Sequence, residues 1–124
     1  MILLWQSKEV AVNIQIYGKS KCFDTKKAER YFKERRIKYQ FIDLPRYGLS
    51  PGELRSLKNV LGGLNQLLNQ DAPGYAESGI PYLSTKEAVE EKLLANPALF
   101  KTPIVRNGKQ ATVGYAPEVW QKWE

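Results

Sequence analysis

Near the N-terminus, two short strand-like segments flank one amphipathic helical segment. From Val10–Tyr17 the side chains alternate strictly between two faces, which is the period of a β-strand. Apolar residues recur at helical spacing over about Asp24–Arg36, and Tyr39–Leu44 is typical of a second strand. Because a helix-length crossover connects the two strands, we expect a parallel βαβ unit that ends at Pro45. The leader Met1–Glu9 either extends the first strand or lies on the surface.

Two capping patterns predict helices in the middle of the chain. Ser50–Glu53 combines an N-cap serine, a proline at the first helical position and a glutamate at the third. Ser84–Glu87 repeats the capping-box pattern and predicts a further helix that stops before Asn96–Pro97. Between them, Gly62–Gly63 interrupts the first helix, and the leucines of Leu64–Leu68 indicate a short second one.

The C-terminal third predicts a β-hairpin followed by a helix. Ile104–Val105 and Ala111–Val113 are predicted strands joined by an Asn-Gly turn at Asn107–Gly108, and Pro117–Trp123 is the last helix. The element order is that of an α/β, thioredoxin-like (glutaredoxin-like) fold, with a helical insertion between the N-terminal βαβ and C-terminal ββα units. We expect one domain over residues 1–124. The side chains expected in its core are Phe32, Leu54, Leu57, Leu61 and Trp120, with Trp123 at a surface or edge.

The composition excludes several kinds of site. The 124 residues include one cysteine, Cys22, and no histidine. An intramolecular disulfide, a conventional zinc site and Ser/His/Asp or Cys/His catalysis are therefore excluded, and no bound metal or cofactor is expected. The missing disulfides favour the reducing cytoplasm. Since the longest apolar runs are far shorter than the roughly 18 residues that cross a bilayer, we expect no membrane anchoring.

The charge balance favours anionic partners. The net charge is +6, from 19 Lys and Arg against 13 Asp and Glu. These cations are spread over several segments and have no base-stacking aromatic motif beside them, so direct nucleic-acid binding is not expected.

The position of Cys22 favours a reactive thiol. It lies where the first strand's loop passes into a helix, near unpaired N–H groups and the positive end of the helix dipole, which both favour a thiolate. Lys19, Lys21 and Lys26 would lower the thiol pKa and Asp24 would raise it, so the direction of the net shift stays open.

A threonine occupies the place where a dithiol enzyme has its second cysteine. Thr25 stands three residues after Cys22, and its hydroxyl could donate a hydrogen bond to a thiolate. A lone cysteine is more often a small buried apolar residue. Here the polar, basic surroundings favour the functional interpretation.

Thr102-Pro103, at the start of a predicted strand, is a weaker signal. A cis bond there would bring the backbone of Thr102 against a neighbouring loop, but most X-Pro bonds are trans and most such prolines only mark a boundary.

Three blocks of sequence resemble the glutaredoxin-like arsenate reductase (ArsC) family, which also includes the Spx regulators. They are Ile16–Ala28, Leu93–Val105 and Val113–Glu118, in the family's order and spacing. The resemblance implies a thioredoxin-like fold, Cys22 as the nucleophile and a cis peptide before Pro103.

The chain departs from the family at the residues that hold an oxyanion. Arsenate reductases of this type have arginines there, whereas this chain has Thr102, Tyr115 and, near the third position, Asn65. Because a hydroxyl lacks the charge and fork geometry of a guanidinium, tight arsenate binding is not expected. Tyr115 either stacks on a ligand or, as we favour, fills the space of the missing arginine. Thr25 replaces the second cysteine of the Cys-x-x-Cys typical of Spx-type regulators.

Two functions remain as hypotheses. The first is a one-cysteine thiol oxidoreductase: the Cys22 thiolate attacks a mixed disulfide or an oxidised substrate such as an oxidised protein, and glutathione or another small thiol resolves the product. Glutaredoxin and thioredoxin are candidate partners in this reaction. Lys19, Lys26 and the backbone beside Thr102 would hold an anionic thiol. The second is a non-catalytic regulator resembling Spx that docks on RNA polymerase or another protein.

Overall fold

The computed structural model describes residues 13–123, and within them four strands form one mixed sheet. The strands are β1 (Ile14–Gly18), β2 (Tyr39–Asp43), β3 (Ile104–Asn107) and β4 (Gln110–Val113), in the order β2-β1-β3-β4. β1 pairs parallel with β2 and antiparallel with β3, and β3 pairs antiparallel with β4. The predicted βαβ unit and hairpin are both confirmed. The leader Met1–Glu9 and residues 10–12 of the predicted first strand lie outside the described residues.

Helices connect and cover these strands. The α-helices are α1 (Phe23–Glu34), α2 (Leu44–Tyr47), α3 (Pro51–Leu61), α4 (Lys86–Ala95) and α5 (Pro117–Trp120). Single 3₁₀ turns occupy Leu64–Gln66, Ala76–Ser78, Ile80–Tyr82, Pro97–Leu99 and Gln121–Trp123. The middle of the chain is therefore a helical insertion, as predicted, and the short second helix predicted after Gly62 and Gly63 is the 3₁₀ turn Leu64–Gln66.

Two helix boundaries differ from the prediction because of local chemistry. Leu44 begins α2 instead of ending β2, and Pro45 fits the first turn of α2, where a backbone donor is not needed. α4 is capped by Thr85, whose hydroxyl accepts the N–H of Ala88 at 3.2 Å, so the predicted cap at Ser84 is wrong by one residue. The predicted capping box of α3 is confirmed, since Ser50 and Glu53 each accept the other's backbone N–H.

The hairpin turn is also displaced by one residue. Asn107 still pairs with Gln110, so the two residues of the loop are Gly108 and Lys109. Gly108 has φ +60°, a conformation that favours glycine, and Lys109 is not among the residues with positive φ. The predicted Asn-Gly turn is wrong in this respect because Asn107 remains in the strand, where its side-chain oxygen accepts the N–H of Asn13 at 3.0 Å.

The sheet buries a separate apolar cluster on each face. One cluster packs α1 and α5 against the sheet and consists of Ile14, Ile16, Ala28, Tyr31, Phe32, Val105 and Trp120. The other packs α2, α3, α4 and the 3₁₀ turns against the opposite face, and its largest members are Tyr17, Leu44, Leu54, Leu57, Leu67, Leu93, Phe100 and Ile104. The predicted core residues fall in these clusters, with Leu61 and Trp123 only partly buried at the margins. Helices on both faces of a mixed sheet give the predicted α/β, thioredoxin-like architecture.

Candidate functional site

Cys22 is the N-cap residue of α1, at the end of the loop that follows β1. The loop is closed by a hydrogen bond from the Cys22 N–H to the carbonyl of Lys19 at 3.2 Å. The thiol is partly exposed. The predicted position at a strand-to-helix turn is therefore confirmed, and the sulfur is accessible to a reactant.

Thr102 faces Cys22 from the segment that precedes β3. Its Oγ1 donates a hydrogen bond to Cys22 Sγ at 3.4 Å, and its carbonyl oxygen lies 3.7 Å from the same sulfur. The peptide bond between Thr102 and Pro103 is cis, as the family resemblance implied. Pro103 itself is buried, and its carbonyl accepts the N–H of Gly114 at 2.8 Å, which joins the segment to the end of β4.

The pKa of the Cys22 thiol lies below its ordinary value. Burial acts to raise this pKa, but it is outweighed by hydrogen bonding from the hydroxyls of Thr102 and Thr25 and from the N–H groups of Thr25 and Asp24. These two N–H groups favour the thiolate form of Cys22 although its side chain forms no helix-capping hydrogen bond. Hydrogen-bond donors, rather than the flanking lysine charges, are thus the main groups that favour the thiolate.

Thr25 contacts the loop between β1 and α1 and also acts on the Cys22 sulfur. Its side chain is fully buried in the first turns of α1, and its Oγ1 accepts the N–H of Lys19 at 3.4 Å. A Cβ at Gly18 would lie 2.7 Å from this oxygen, so only glycine lets β1 pass so close to Thr25. The local sequence around the thiol is therefore packed as one unit.

A cleft of about 600 Å³ opens beside the sulfur. Besides Cys22 and Thr102, its lining includes Lys19, Lys21, Asp24, Gln66, Asn69, Lys101, Val113 and Gly114. Three of these side chains are cationic and one is anionic. The Nζ of Lys19 donates to the carbonyl of Ala98 at 3.0 Å, which leaves Lys21 and Lys101 as the cations able to turn toward a ligand.

Five residues of the cleft were predicted neither as site residues nor as charges that act on the thiol: Gln66, Asn69, Lys101, Val113 and Gly114. Lys101 directly precedes Thr102-Pro103, and that adjacency was a usable signal. Gln66 and Asn69 arrive through a contact between distant segments: the N–H of Asn69 donates to the carbonyl of Leu99 at 2.8 Å, and Lys101 N–H donates to the carbonyl of Leu67 at 2.7 Å. No local sequence pattern predicts the pairing of these two segments.

Four predicted site residues do not line the cleft, and two of these, Thr25 and Pro103, are buried. Lys26 is exposed on α1 and does not line it. Tyr115 does not line the cleft either, and its ring packs nearly perpendicular to that of Trp120 with 5.5 Å between centroids. Asn65 likewise lines another depression, and Gln66 faces the cleft instead.

The described residues contain no group of three or more His, Cys, Asp or Glu side chains arranged to hold a metal ion. Within residues 13–123, moreover, no helix has the length and apolarity needed to cross a bilayer. The cleft brings together one thiol whose pKa lies below its ordinary value, several amide and ammonium donors and the carboxylate of Asp24, and the sequence has no histidine to act as a general base.

Comparisons with known proteins agree with this geometry. A sequence model of the ArsC family matches residues 17–123. The global transcriptional regulator Spx 2 of Oceanobacillus iheyensis is 30% identical over 109 residues, which cover 84% of this chain and 78% of the regulator.

Solved structures share the fold. Arsenate reductase from Vibrio cholerae superposes with a TM-score of 0.81 at 22% identity, covering 91% of this chain and 98% of that one. An arsenate reductase (ArsC) related protein from Brucella melitensis gives a TM-score of 0.60 at 26% identity, covering 89% and 92%. The chain belongs to the ArsC family.

Proposed function

We propose that the protein is a thiol–disulfide oxidoreductase that uses Cys22 as its only nucleophilic sulfur. The observation that carries the proposal is the hydrogen bond from Thr102 Oγ1 to a partly exposed sulfur at the N-cap of α1. A thiolate, rather than a thiol, is the attacking species in disulfide exchange, and every contact that favours it increases its fraction at neutral pH. No prosthetic group is required for this chemistry.

The proposed reaction has two exchange steps. The Cys22 thiolate attacks the glutathione sulfur of a mixed disulfide, P–S–S–G, so that a Cys22–S–S–G bond forms and P–S⁻ leaves with the electron pair and takes a proton from water. The thiolate of a second glutathione then attacks the Cys22–S–S–G bond, releases the Cys22 thiolate and forms G–S–S–G. The net change is P–S–S–G plus GSH to P–SH plus GSSG. Glutathione is proposed from the fold and the family; another small thiol would balance in the same way.

The roles proposed for the other residues follow from their contacts. Thr102 and Thr25 stabilise the thiolate, Pro103 supports the segment that carries Thr102, and Lys19, Lys21 and Lys101 surround the cleft with positive charge suited to the carboxylates of an anionic thiol.

Arsenate reduction is not part of the proposal. The cleft lining contains lysines and amides but no arginine. A lysine offers a point charge without the bidentate fork that suits a tetrahedral oxyanion, and Thr102 supplies only one hydroxyl.

A substrate panel tests the proposed function. Purified protein is offered a glutathionylated peptide, a low-molecular-weight disulfide and arsenate, each with glutathione or with thioredoxin as the reductant. We expect turnover of the glutathionylated peptide that Cys22→Ser abolishes. Turnover that persists in Cys22→Ser, or activity with arsenate alone, would contradict the proposal.

The Spx 2 relative supports a second candidate, a regulator without catalysis. Such a protein would act by binding part of the transcription machinery, with RNA polymerase as the partner to test. Affinity purification of the polymerase with the tagged protein, unchanged in Cys22→Ser and combined with no turnover in the substrate panel, would favour this candidate over the oxidoreductase.

A further inference from the structure

A second groove lies on the other side of the loop that joins β4 to α5. Its volume is about 460 Å³. α1 contributes Lys27, Arg30, Tyr31 and Glu34 to one wall, and Arg35 follows at the end of this helix. The other wall is formed by Tyr115 of the loop and by Pro117, the first residue of α5. Nothing in the proposed exchange reaction uses this groove.

The second groove adjoins the Cys22 cleft along two elements at once. On α1, Asp24 lines the cleft and Lys27, one turn further on, lines the groove. On the loop, Gly114 lines the cleft and the next residue, Tyr115, lines the groove. An extended chain that occupies the cleft can therefore continue over the loop into the groove, whereas a molecule the size of glutathione needs the cleft alone.

The groove carries available positive charge. Arg30 takes part in no side-chain hydrogen bond or ion pair found within residues 13–123. Within residues 13–123, the contact found for the Lys27 ammonium is with the ring of Tyr115, with Nζ 5.7 Å from the centroid. Glu34 is the single carboxylate in the wall. The groove therefore favours an anionic ligand. Acidic side chains of that ligand would form salt bridges with Lys27 and Arg30 in place of the weak contacts that these two side chains make otherwise.

Tyr115 provides the apolar part of the groove. Its side chain is 45% exposed although one edge packs against Trp120. The groove thus offers one flat apolar contact flanked by Lys27 and Arg30, which suits an acidic peptide segment.

We infer that the disulfide reduced at Cys22 belongs to a protein segment with acidic residues beside its cysteine, and that these acidic residues dock on Lys27 and Arg30. This inference rests on the proposed oxidoreductase function and adds the substrate class: an oxidised protein rather than a free small disulfide. A single-stranded nucleic acid fits less well, because such ligands stack successive bases on exposed aromatic rings, and of the two described tyrosines that line the groove Tyr31 is buried and Tyr115 is exposed.

Steady-state kinetics test the inference with matched substrates. The substrates are pairs of glutathionylated peptides that carry either glutamates or glutamines near the cysteine and are otherwise identical. From one pair to the next, the spacing between the cysteine and these residues increases by one residue. A low-molecular-weight mixed disulfide is the reference substrate. For Lys27→Gln/Arg30→Gln we expect kcat/KM for the best acidic peptide, relative to the reference, to fall about fivefold, through KM, as two exposed ion pairs are lost. Lys33→Gln, on α1 but outside both grooves, should leave this ratio unchanged.

A binding measurement keeps the inference separate from the proposed function. Fluorescence anisotropy of the labelled, reduced peptides is followed with Cys22→Ser, which needs no turnover. Preferential binding of the acidic peptide, weakened by Lys27→Gln/Arg30→Gln, supports the docking site even if no disulfide is turned over. Equal binding of the glutamate and glutamine peptides, or tighter binding of a single-stranded oligonucleotide, would overturn the inference. It would also be overturned if Lys27→Gln/Arg30→Gln lowered kcat/KM for the small reference disulfide as much as for the acidic peptide.

Discussion

Thr102 presents both a donor and an acceptor to the sulfur of Cys22, which lies 80 residues earlier in the chain. Its Oγ1 donates at 3.4 Å, and its carbonyl oxygen lies 3.7 Å away. The carbonyl can accept a hydrogen bond only from the protonated thiol, whereas the hydroxyl can donate to the thiolate. The side chain of Thr102, not its backbone carbonyl, therefore favours the reactive form.

Removing the Thr102 hydroxyl is expected to raise the pKa of Cys22. In Thr102→Val the burial of the thiol, which raises its pKa, is opposed by fewer donors. The rate of alkylation by iodoacetamide at mildly acidic pH should fall about three- to tenfold, and the pH profile should move upward. Thr102→Ser keeps the hydroxyl and should retain the native profile. Coincident profiles for the valine variant and the native protein would contradict the assigned role.

The close approach of β1 to α1 predicts a second effect on the thiol. In Gly18→Ala the new Cβ would meet both Cγ2 and Oγ1 of the buried Thr25, so this side chain must move. We expect a loss of about 1–3 kcal/mol in the free energy of unfolding, measured with urea, together with slower alkylation of Cys22.

The double variant Gly18→Ala/Thr25→Ala separates the two effects. Removing the crowded side chain should restore part of the stability but not the alkylation rate, because the Thr25 hydroxyl is lost as well. Recovery of both quantities together would show that Thr25 fills space without acting on the sulfur.

Local patterns in the sequence predict the strands and long helices because each depends on neighbouring residues. The alternation around Ile14 and Ile16 and the capping box at Ser50 are features of this kind, and the structure confirms both. Some errors are shifts of one residue, as at Thr85, where two adjacent hydroxyl residues offer equivalent caps. Others are larger, since the short helix Leu44–Tyr47 was not predicted and the α-helical part of the last helix ends at Trp120 instead of Trp123.

The site residues were predictable from the sequence only where a local pattern or a family pattern marks them. Cys22 and Thr102 were identified from a turn and from a family pattern, but Gln66 and Asn69 reach the cleft through pairing of Leu68 with Phe100, a contact between distant segments. The direction of Tyr115 is likewise set by packing on Trp120 rather than by its neighbours in sequence.

A polar cluster of Tyr17, Ser50, Glu53 and Arg106 predicts that the stability of the folded protein depends on pH. Tyr17 donates its hydroxyl to Glu53 Oε2 at 3.0 Å, and the Ser50 N–H donates to Oε1 at 2.9 Å. Burial acts to raise the pKa of Glu53, but these hydrogen bonds and the charge of Arg106 outweigh it, so the pKa lies below its ordinary value. Burial and the neighbouring carboxylate raise the pKa of Tyr17 to about 12, so the phenol remains a donor.

Since the pKa of Glu53 is lower in the folded than in the unfolded chain, its contribution to stability is present above the unfolded value of about 4.3 and is lost as the pH falls through the folded value. Urea unfolding between neutral and acidic pH should show a smaller decline for Glu53→Gln than for the native protein, with lower stability at neutral pH. Glu91→Gln, exposed in the middle of α4, is the matched control. Parallel curves for all three proteins would contradict the prediction.

The buried hydrogen bond from Trp120 Nε1 to Thr112 Oγ1, 2.8 Å long, joins α5 to the edge strand β4. Trp120 is fully buried, so Thr112→Val would leave its indole N–H without an acceptor while keeping nearly the same side-chain volume. We expect the free energy of unfolding, followed by circular dichroism in urea, to fall by about 1–3 kcal/mol. Thr112→Ser retains the acceptor and should lose less, since only a methyl group is removed. If the valine variant were as stable as the native protein, or the serine variant were the less stable of the two, packing of the methyl group rather than the hydrogen bond would hold α5 against the sheet.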